Sequence, residues 1–424
     1  MRRILSLWLL FVCMTLHAAT KGDSARHVGY AVYGGPAWQI AMDEYERKWL
    51  REKQAYIIGA ELSYSALPAD SDAFAIDYNY PTLSLGAKLS LNNGVTMRRT
   101  EDPSWGKAQM VDYDSHLGDI VTLYGSFSRP LLRKGRWQLD YTLRAGVGYN
   151  AWRYNKTDNI DNELIGSPFT IYFGAGLVAS YQFSDQWGLT GGVLYGHHSN
   201  GALARPNKGE NHVGPFIGIR YAPYDKAIRQ RSPLTAHRSP LSTQFQRYWY
   251  ANIRLGIGGK TLLEDWQRTQ FQTPPDDPEY RTEDFQFYMA YSAQVNAMYR
   301  YARRWASGIG IDLFYGSYAD RVRELDKAAG HDVSHSPWSL GISARHEAYY
   351  HNLSVDVALG YYLYRQMGVS AKSIEKPYYE QVGVFYTFPQ LYNLKIGVSV
   401  KAHSTKADLT ELAVSIPILF KRQR

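Results

Sequence analysis

Three polar residues near the middle of the chain have the types and spacing of a nucleophilic hydrolase site. In the stretch "VLYGHHSNGALARPNKGENHVGPFIGIRY" (193–221), His197 precedes Ser199 by two residues, and Asn211 follows a turn rich in Gly, Pro and Asn. A serine hydroxyl is a weak nucleophile until a base takes its proton and a third group orients that base. His197 as base, Ser199 as nucleophile and Asn211 as orienting group predict ester hydrolysis. The alternative is an ordinary polar hairpin tip.

The runs on either side of this turn alternate between apolar and polar residues, as two antiparallel strands do. The apolar face of the first run leads in steps of two to His197 and Ser199. Asn211 lies on the apolar face of the returning run, so a regular hairpin brings it beside His197, whereas Glu210 points to the opposite face. Polar groups are costly on an apolar face, which favours the catalytic interpretation.

The turn also contains candidate support residues. Asn200, or a backbone N–H near Gly201, can donate to the oxyanion that forms during ester hydrolysis. Two basic residues, Arg205 and Lys208, can contact substrate phosphate or sugar groups.

The elements that carry this hairpin repeat along the chain as amphipathic strands. In "WQLDYTLRAGVGY" (137–149), one face is entirely apolar with aromatic residues at both ends, and the other is polar or Gly. The chain contains 35 Tyr and 36 Gly, and its mean hydropathy is −0.39. Alternating strands rich in Tyr and Gly predict an all-β, transmembrane antiparallel β-barrel.

The alternating runs form two groups of about eight. The first group is at 27–37, 55–65, 82–92, 119–129, 137–149, 168–183, 186–200 and 210–221. The second group is at 247–258, 285–301, 305–317, 337–350, 352–364, 378–388, 391–404 and 411–420. The grouping predicts two tandem eight-stranded barrels, with one larger barrel of roughly 14–16 strands as the alternative.

The chain opens with "MRRILSLWLLFVCMTLHAATKGD", which predicts a cleaved signal peptide at 1–19. The only cysteine, Cys13, lies within it, so no disulfide or cysteine metal site is expected in the exported chain. The net charge is +8, and the pI of about 9.1 favours anionic lipids as partners. An exported chain with diffuse basic residues is not expected to bind nucleic acid.

The hairpin sequence resembles the signature of the PagL-type lipid A deacylases. These outer-membrane barrels have a His-x-Ser-Asn motif, a Pro-Asn-x-Gly turn and an acidic residue shortly after it. The segments "YPTLSLGAKL", "LYGSFSRPL" and "ELIGSPF" resemble the longer acyloxyacyl hydrolase homologues of Bacteroidetes-type bacteria. The resemblance covers roughly 27–221, and a second section similar to "GIGIDLFYGS" and "VKAHSTKADLTELAV" follows.

The resemblance implies roles residue by residue. His197 and Ser199 match the catalytic His and Ser, and Asn200 matches the Asn that follows the serine. Asn207 matches the Asn of the turn, and Asn211 stands where the better-known deacylases have Glu. A Ser-His-Asn set also resembles the site of outer-membrane phospholipase A, so an Asn at this position is compatible with hydrolysis.

We therefore expect a signal peptide at 1–19, a deacylase barrel at 20–221, a basic Pro-containing linker at 222–246 and a second barrel-like domain at 247–424. The second domain is expected to be non-catalytic. Its last hairpin has a His-Ser tip too, but adjacent residues point to opposite faces. Three of its polar residues are expected to form an interior network instead, namely Lys401, His403 and Glu411.

The predicted function is that of an outer-membrane serine esterase that removes an ester-linked acyl chain from lipid A or lipopolysaccharide. The alternatives are an outer-membrane phospholipase and a non-catalytic barrel that binds lipopolysaccharide or is structural. Lipopolysaccharide and outer-membrane lipids are the expected partners, and homodimer formation is open. No cofactor or metal is expected, because His198 and His212, which face inward, are interpreted as hydrogen-bonded filling without a carboxylate partner.

Overall fold

The computed structural model describes residues 26–230, 245–371, 376–404 and 406–420. The signal peptide predicted at 1–19 lies outside the described residues. The chain divides into two compact units, each organised around one sheet. The described residues of the first unit are 26–101, 110–199 and 208–230, and those of the second are 102–109, 200–207 and 245–420 with the gaps given above.

The first unit is a barrel of eight long antiparallel strands with one short strand added. The strands are β1 (Val28–Gln39), β2 (Leu50–Tyr64), β3 (Thr82–Met97), β4 (Ser115–His116), β5 (Ile120–Lys134), β6 (Trp137–Asn150), β7 (Phe169–Gln182), β8 (Trp187–Ser199) and β9 (Glu210–Tyr221). They are ordered β2-β1-β9-β8-β7-β6-β5-β3, and pairing between β2 and β3 closes the ring. The two-residue strand β4 pairs with β3.

The described residues of the first unit also form three short α-helices: α1 (Glu44–Arg47), α2 (Ala73–Asp77) and α3 (Tyr224–Gln230). Helix α3 lies inside the segment predicted as a linker. The Tyr224 side chain is buried and its hydroxyl lies 3.0 Å from Ser63 Oγ, while Asp225 pairs with Arg220 at 2.6 Å. Seven residues are too few to show a helical period, so the sequence pattern did not reveal this helix.

The second unit is a closed barrel of eight antiparallel strands in sequence order. They are β10 (Tyr248–Thr261), β11 (Phe287–Ala302), β12 (Trp305–Gly316), β13 (His335–Tyr350), β14 (Leu353–Met367), β15 (Tyr378–Phe388), β16 (Leu394–His403) and β17 (Lys406–Leu419). Two helices, α4 (Leu263–Phe271) and α5 (Ala319–Ala328), lie in its inter-strand loops. The prediction of two eight-stranded barrels is confirmed, and the single larger barrel is wrong.

Both barrels are polar inside and apolar outside. In β6 the apolar side chains are exposed, as at Leu143, whereas Asp140 and Arg144 on the other face are buried. This inversion of a soluble protein's pattern is typical of a lipid-facing sheet. Among the residues that the structure describes, no helix is both long and apolar enough to cross a membrane.

The lumen of the second barrel is filled by ion pairs. Asp312 accepts from Arg345 at 2.9 Å, and Arg345 also contacts Asp356. Arg300 stacks on the Tyr349 ring.

The three residues predicted to form an interior network of the second barrel are inside it, but their contacts fall into two groups. Lys401, His403 and Glu411 are all buried, as expected. Lys401 pairs with Asp408 at 2.8 Å, whereas Glu411 accepts from Ser292 and other hydroxyl and amide groups.

Candidate active site

Two adjacent strands of the first barrel place the candidate histidine and asparagine side by side. In the β8–β9 ladder, His197 lies directly opposite Asn211. The two side chains are on the outer face, and His197 Nδ1 lies 2.8 Å from Asn211 Oδ1. The sequence pattern predicted this pairing from strand parity.

The orientation of the Asn211 amide is fixed by its other partners. Its Oδ1 also accepts from the Tyr195 hydroxyl at 2.7 Å, and its Nδ2 donates to the Gly209 carbonyl oxygen at 3.2 Å. A flipped amide would turn an oxygen toward that carbonyl, so Oδ1 must face the imidazole. His197 Nδ1 therefore carries a proton, and in the neutral imidazole Nε2 is the acceptor.

The backbone of Asn211 is held as well. Its N–H donates to Gln39 Oε1 at 3.1 Å, and its carbonyl oxygen accepts from Ile40 N at 2.8 Å. Gln39 ends β1, the strand that pairs with β9 on the side away from β8. Three adjacent strands thus fix the position of one asparagine.

Ser199 occupies the expected place on the same face of β8. It is the last residue of the strand, is partly exposed, and lies opposite Ile171 of β7, while His197 lies opposite Phe173. Alternate residues of a strand are about 7 Å apart. The strand therefore brings hydroxyl and imidazole to one surface, where catalytic contacts commonly tighten only when substrate binds.

Gly209 makes room for the His197 ring. Its φ is +81°, and a Cβ there would lie 2.6 Å from His197 Cε1. The sequence showed only a turn glycine, because the close approach depends on the hairpin register.

The turn that follows Ser199 belongs to the second unit up to residue 207. Asn207 Oδ1 accepts from the Asn200 backbone N–H at 2.9 Å, and Asn200 Oδ1 accepts from Ala204 N at 3.4 Å. Asn200 Nδ2 is buried and has no hydrogen-bond partner within the described part of the chain. The Gly201 carbonyl oxygen accepts from Thr410 Oγ1 at 2.8 Å.

The two basic turn residues have different surroundings. Arg205 is 8% exposed, and it donates from Nε and Nη2 to the Thr261 carbonyl oxygen at 3.2 and 2.9 Å. Substrate contact by Arg205 would require these bonds to break. Lys208 is partly exposed, pairs with Asp43, and lies 5.2 Å from the centre of the Tyr45 ring.

The inward-facing residues differ from the sequence interpretation in one respect. His198 and His212 do have a carboxylate partner, because Glu210 accepts from the Nδ1 of each ring at 2.5 Å. Parity placed all three on the inner face, but it did not show that their side chains reach one another. One nitrogen of each histidine and one carboxylate oxygen of Glu210 lie within 4.8 Å of one another, close enough to hold a metal ion. The sequence pattern also did not reveal that the Tyr195 hydroxyl donates to Asn211 Oδ1.

Two family matches cover about three-quarters of the chain. Residues 73–220 match the family "Lipid A 3-O-deacylase (PagL)", and residues 249–420 match "Acyloxyacyl hydrolase, C-terminal domain". No curated protein sequence matches.

Solved structures of bacterial membrane proteins align along most of the chain, with low scores. OccK11 (OpdR) of Pseudomonas aeruginosa is 10% identical over 93% of this chain and 96% of its own, with a TM-score of 0.20. The FrpB iron transporter of Neisseria meningitidis is 11% identical over 94% of this chain and 70% of its own, with a TM-score of 0.25. Scores this low carry no functional information.

Proposed function

The chain belongs to the PagL family of lipid A deacylases and acyloxyacyl hydrolases, and from this premise we propose that it cleaves lipid A through His197, Ser199 and Asn211. Family membership makes it an ester hydrolase with an outer-membrane barrel fold. The matched family name indicates the 3-O-linked acyl chain as the group that is removed from lipid A.

The observation that carries the proposal is the 2.8 Å contact between His197 Nδ1 and Asn211 Oδ1 on the lipid-facing surface. An asparagine in a triad usually impairs catalysis because its amide can favour the wrong imidazole tautomer. Here the Gly209 carbonyl oxygen holds Nδ2 away from the ring. The amide thus orients His197 as a carboxylate would, although it stabilises the developing imidazolium less.

In the proposed reaction, His197 Nε2 takes the proton of Ser199 Oγ as that oxygen attacks the ester carbonyl. The tetrahedral intermediate collapses, the sugar oxygen leaves with the proton from His197, and the acyl chain stays on Ser199. A water molecule, deprotonated by His197, then releases the fatty acid and restores the serine.

Stabilisation of the oxyanion is assigned to the turn after the nucleophile. Asn200 follows Ser199 directly and has a buried amide donor without a partner within the described part of the chain. The Gly201 N–H is the second candidate donor. Lys208 is assigned to substrate phosphate in exchange for Asp43, and acyl chains are assigned to exposed apolar side chains such as Phe173.

The proposal is tested with purified, refolded protein and lipid A, the products being read by mass spectrometry. Wild type should remove one acyl mass, whereas Ser199→Ala and Asn211→Ala should not do so at a comparable rate. Ser404→Ala is the matched control, because this serine directly follows β16 at the tip of the corresponding hairpin of the second barrel. Its Oγ lies 3.1 Å from the Tyr378 hydroxyl. This variant should retain full activity.

Two other results would assign the site differently. Release of fatty acid from phospholipid vesicles but not from lipid A would make the protein a phospholipase using the same residues. Folded wild type that hydrolyses neither substrate would contradict the catalytic proposal and favour a barrel that binds lipopolysaccharide or is structural.

A further inference from the structure

A group of buried polar residues lies inside the first barrel, directly behind the His197–Asn211 pair. It consists of Lys88, His198, Glu210 and His212, which we call the inner cluster; each is at most 2% exposed. Glu210 accepts from both imidazoles at 2.5 Å. Lys88 Nζ lies 3.2 Å from His212 Nε2.

The hydrogen bonds of this cluster fit two neutral imidazoles. A carboxylate that accepts from the Nδ1–H of two neutral imidazoles leaves both Nε2 atoms as acceptors. The Nε2 of His198 then accepts from Thr122 Oγ1 at 3.0 Å, and that of His212 accepts from Lys88. A carboxylate and an ammonium group give the cluster no net charge, and Lys88 Nζ also lies 4.0 Å from the centre of the Tyr172 ring. A divalent cation among these donors would add two uncompensated charges in a buried site.

The inner cluster connects β8 and β9, the same two strands that the His197–Asn211 pair connects on the outer face. The two sets of contacts lie at adjacent positions of the ladder. His198 lies opposite Glu210, and His197 lies opposite Asn211. Because side chains alternate between faces, a one-residue slip of β9 would turn Asn211 into the lumen. The bonds of Glu210 resist that slip from inside the barrel.

The cluster also ties the hairpin to the far side of the lumen. Lys88 is in β3 and Thr122 is in β5, and neither strand neighbours β8 or β9. Their bonds to the two histidines therefore anchor the tip of the β8–β9 hairpin across the barrel.

Two glycines leave space for the histidine rings. A Cβ at Gly196 would lie 2.3 Å from His212 Cε1, and one at Gly148 would lie 2.8 Å from His198 Cδ2. The Tyr172 ring packs on His198 with centroids 4.8 Å apart. The rings have little room to move, so the cluster can transmit a fixed geometry.

We propose that the inner cluster is a positioning device, in which Glu210 and its partners fix the register of β8 and β9 so that Asn211 meets His197 on the outer face. Its effect on catalysis rests on the function proposed above, whereas its effect on register does not.

The kinetic test compares Glu210→Gln with Glu411→Gln. Both carboxylates are 1% exposed, but Glu411 lies in the second barrel and bonds to Ser292, Ser399 and Gln381. Glu210→Gln should lower the kcat of the folded protein on the order of 10- to 100-fold, with KM unchanged. Glu411→Gln should leave both constants unchanged.

The register test needs no activity. Tyr195 lies opposite Val213, so cysteines at these two positions can form a disulfide only near the native register. The pair is introduced with Cys13→Ala, since Cys13 is the only native cysteine. Adding Glu210→Gln should lower the cross-linking yield, and adding Glu411→Gln should not.

Unchanged cross-linking and unchanged kcat in Glu210→Gln would overturn the proposal. So would one tightly bound metal per folded chain, lost together with activity on chelation and restored by the metal. If Glu210→Gln does not fold, Thr122→Val replaces it, with a smaller decrease expected in both readouts and no decrease contradicting the proposal. An inactive wild type would remove the function proposed above and leave the cross-linking result to judge the positioning role.

Discussion

Asn211 Oδ1 accepts a hydrogen bond from His197 Nδ1 across 2.8 Å, on the outer face of the first barrel. The neutral amide resembles a triad carboxylate in geometry but not in charge. Its orientation depends on the Tyr195 hydroxyl at 2.7 Å and the Gly209 carbonyl oxygen at 3.2 Å. In the proposed catalytic site, these two contacts orient the amide, as the charge of a carboxylate does in Ser-His-Asp triads.

Tyr195→Phe should lower kcat about 2- to 10-fold, the size expected for one net hydrogen bond. Asn211→Ala should lower kcat more, to roughly 100-fold or more below wild type, because no acceptor then fixes the tautomer of the His197 imidazole. Initial rates of fatty-acid release at saturating lipid A measure both. Equal losses in the two variants would contradict the view that Tyr195 acts through Asn211.

Gly209→Ala should abolish most activity without unfolding the barrel, because the new Cβ would lie 2.6 Å from His197 Cε1. Gly135→Ala is the matched control. Its φ is also positive, at +57°, but a Cβ at this position would have no other atom within 4 Å among the described residues. In both variants the free energy of unfolding should fall by about 1–2 kcal/mol, because alanine is strained in the left-handed conformation. Only Gly209→Ala should have a lower kcat. Activity retained in Gly209→Ala would show that the ring tolerates displacement.

The strands were predictable because the lipid-facing alternation is visible in the sequence, but their ends were less so. β2 begins at Leu50 and β17 at Lys406, five residues earlier than predicted in each case. The β2 extension, 50–54, carries polar residues on both faces, as rim segments beyond the lipid do. At the start of β17, four consecutive residues from Asp408 to Glu411 are buried, beside a register shift in the β16–β17 ladder. The alternation signal fades there although the ladder continues.

In the candidate site, the sequence predicted only on which face of its strand each residue lies. Parity placed Asn211 beside His197 and turned Glu210 inward. It could not show that Tyr195 bonds Asn211 or that Glu210 joins two histidines, since those contacts depend on side-chain reach within the hairpin. The contact between Lys88 and His212 was harder still to predict, because it crosses the lumen between strands that are not neighbours.

Ile311→Arg should destabilise the second barrel by about 2–4 kcal/mol, because it places a charge at the middle of a lipid-facing strand. Leu391→Arg is the control, with similar exposure of 54% against 59% but a position in a turn between strands. Leu391→Arg should lower the stability of the second barrel by less than about 1 kcal/mol. Reversible denaturant unfolding in lipid vesicles measures both. Similar losses would contradict a membrane band around β12.

Asp408→Asn should destabilise the second barrel by about 3–5 kcal/mol, the usual cost of breaking a buried ion pair on one side. Asp408 compensates two buried ammonium groups, on Lys260 and Lys401, and the amide would leave both without a counter-charge. Asp320→Asn is the control: this carboxylate pairs with Arg323 at 2.8 Å, but its side chain is 78% exposed. Since exposed pairs contribute little, its unfolding midpoint should barely change. A comparable shift in the two variants would mean that water reaches Asp408 and that the lumen near it is not dry.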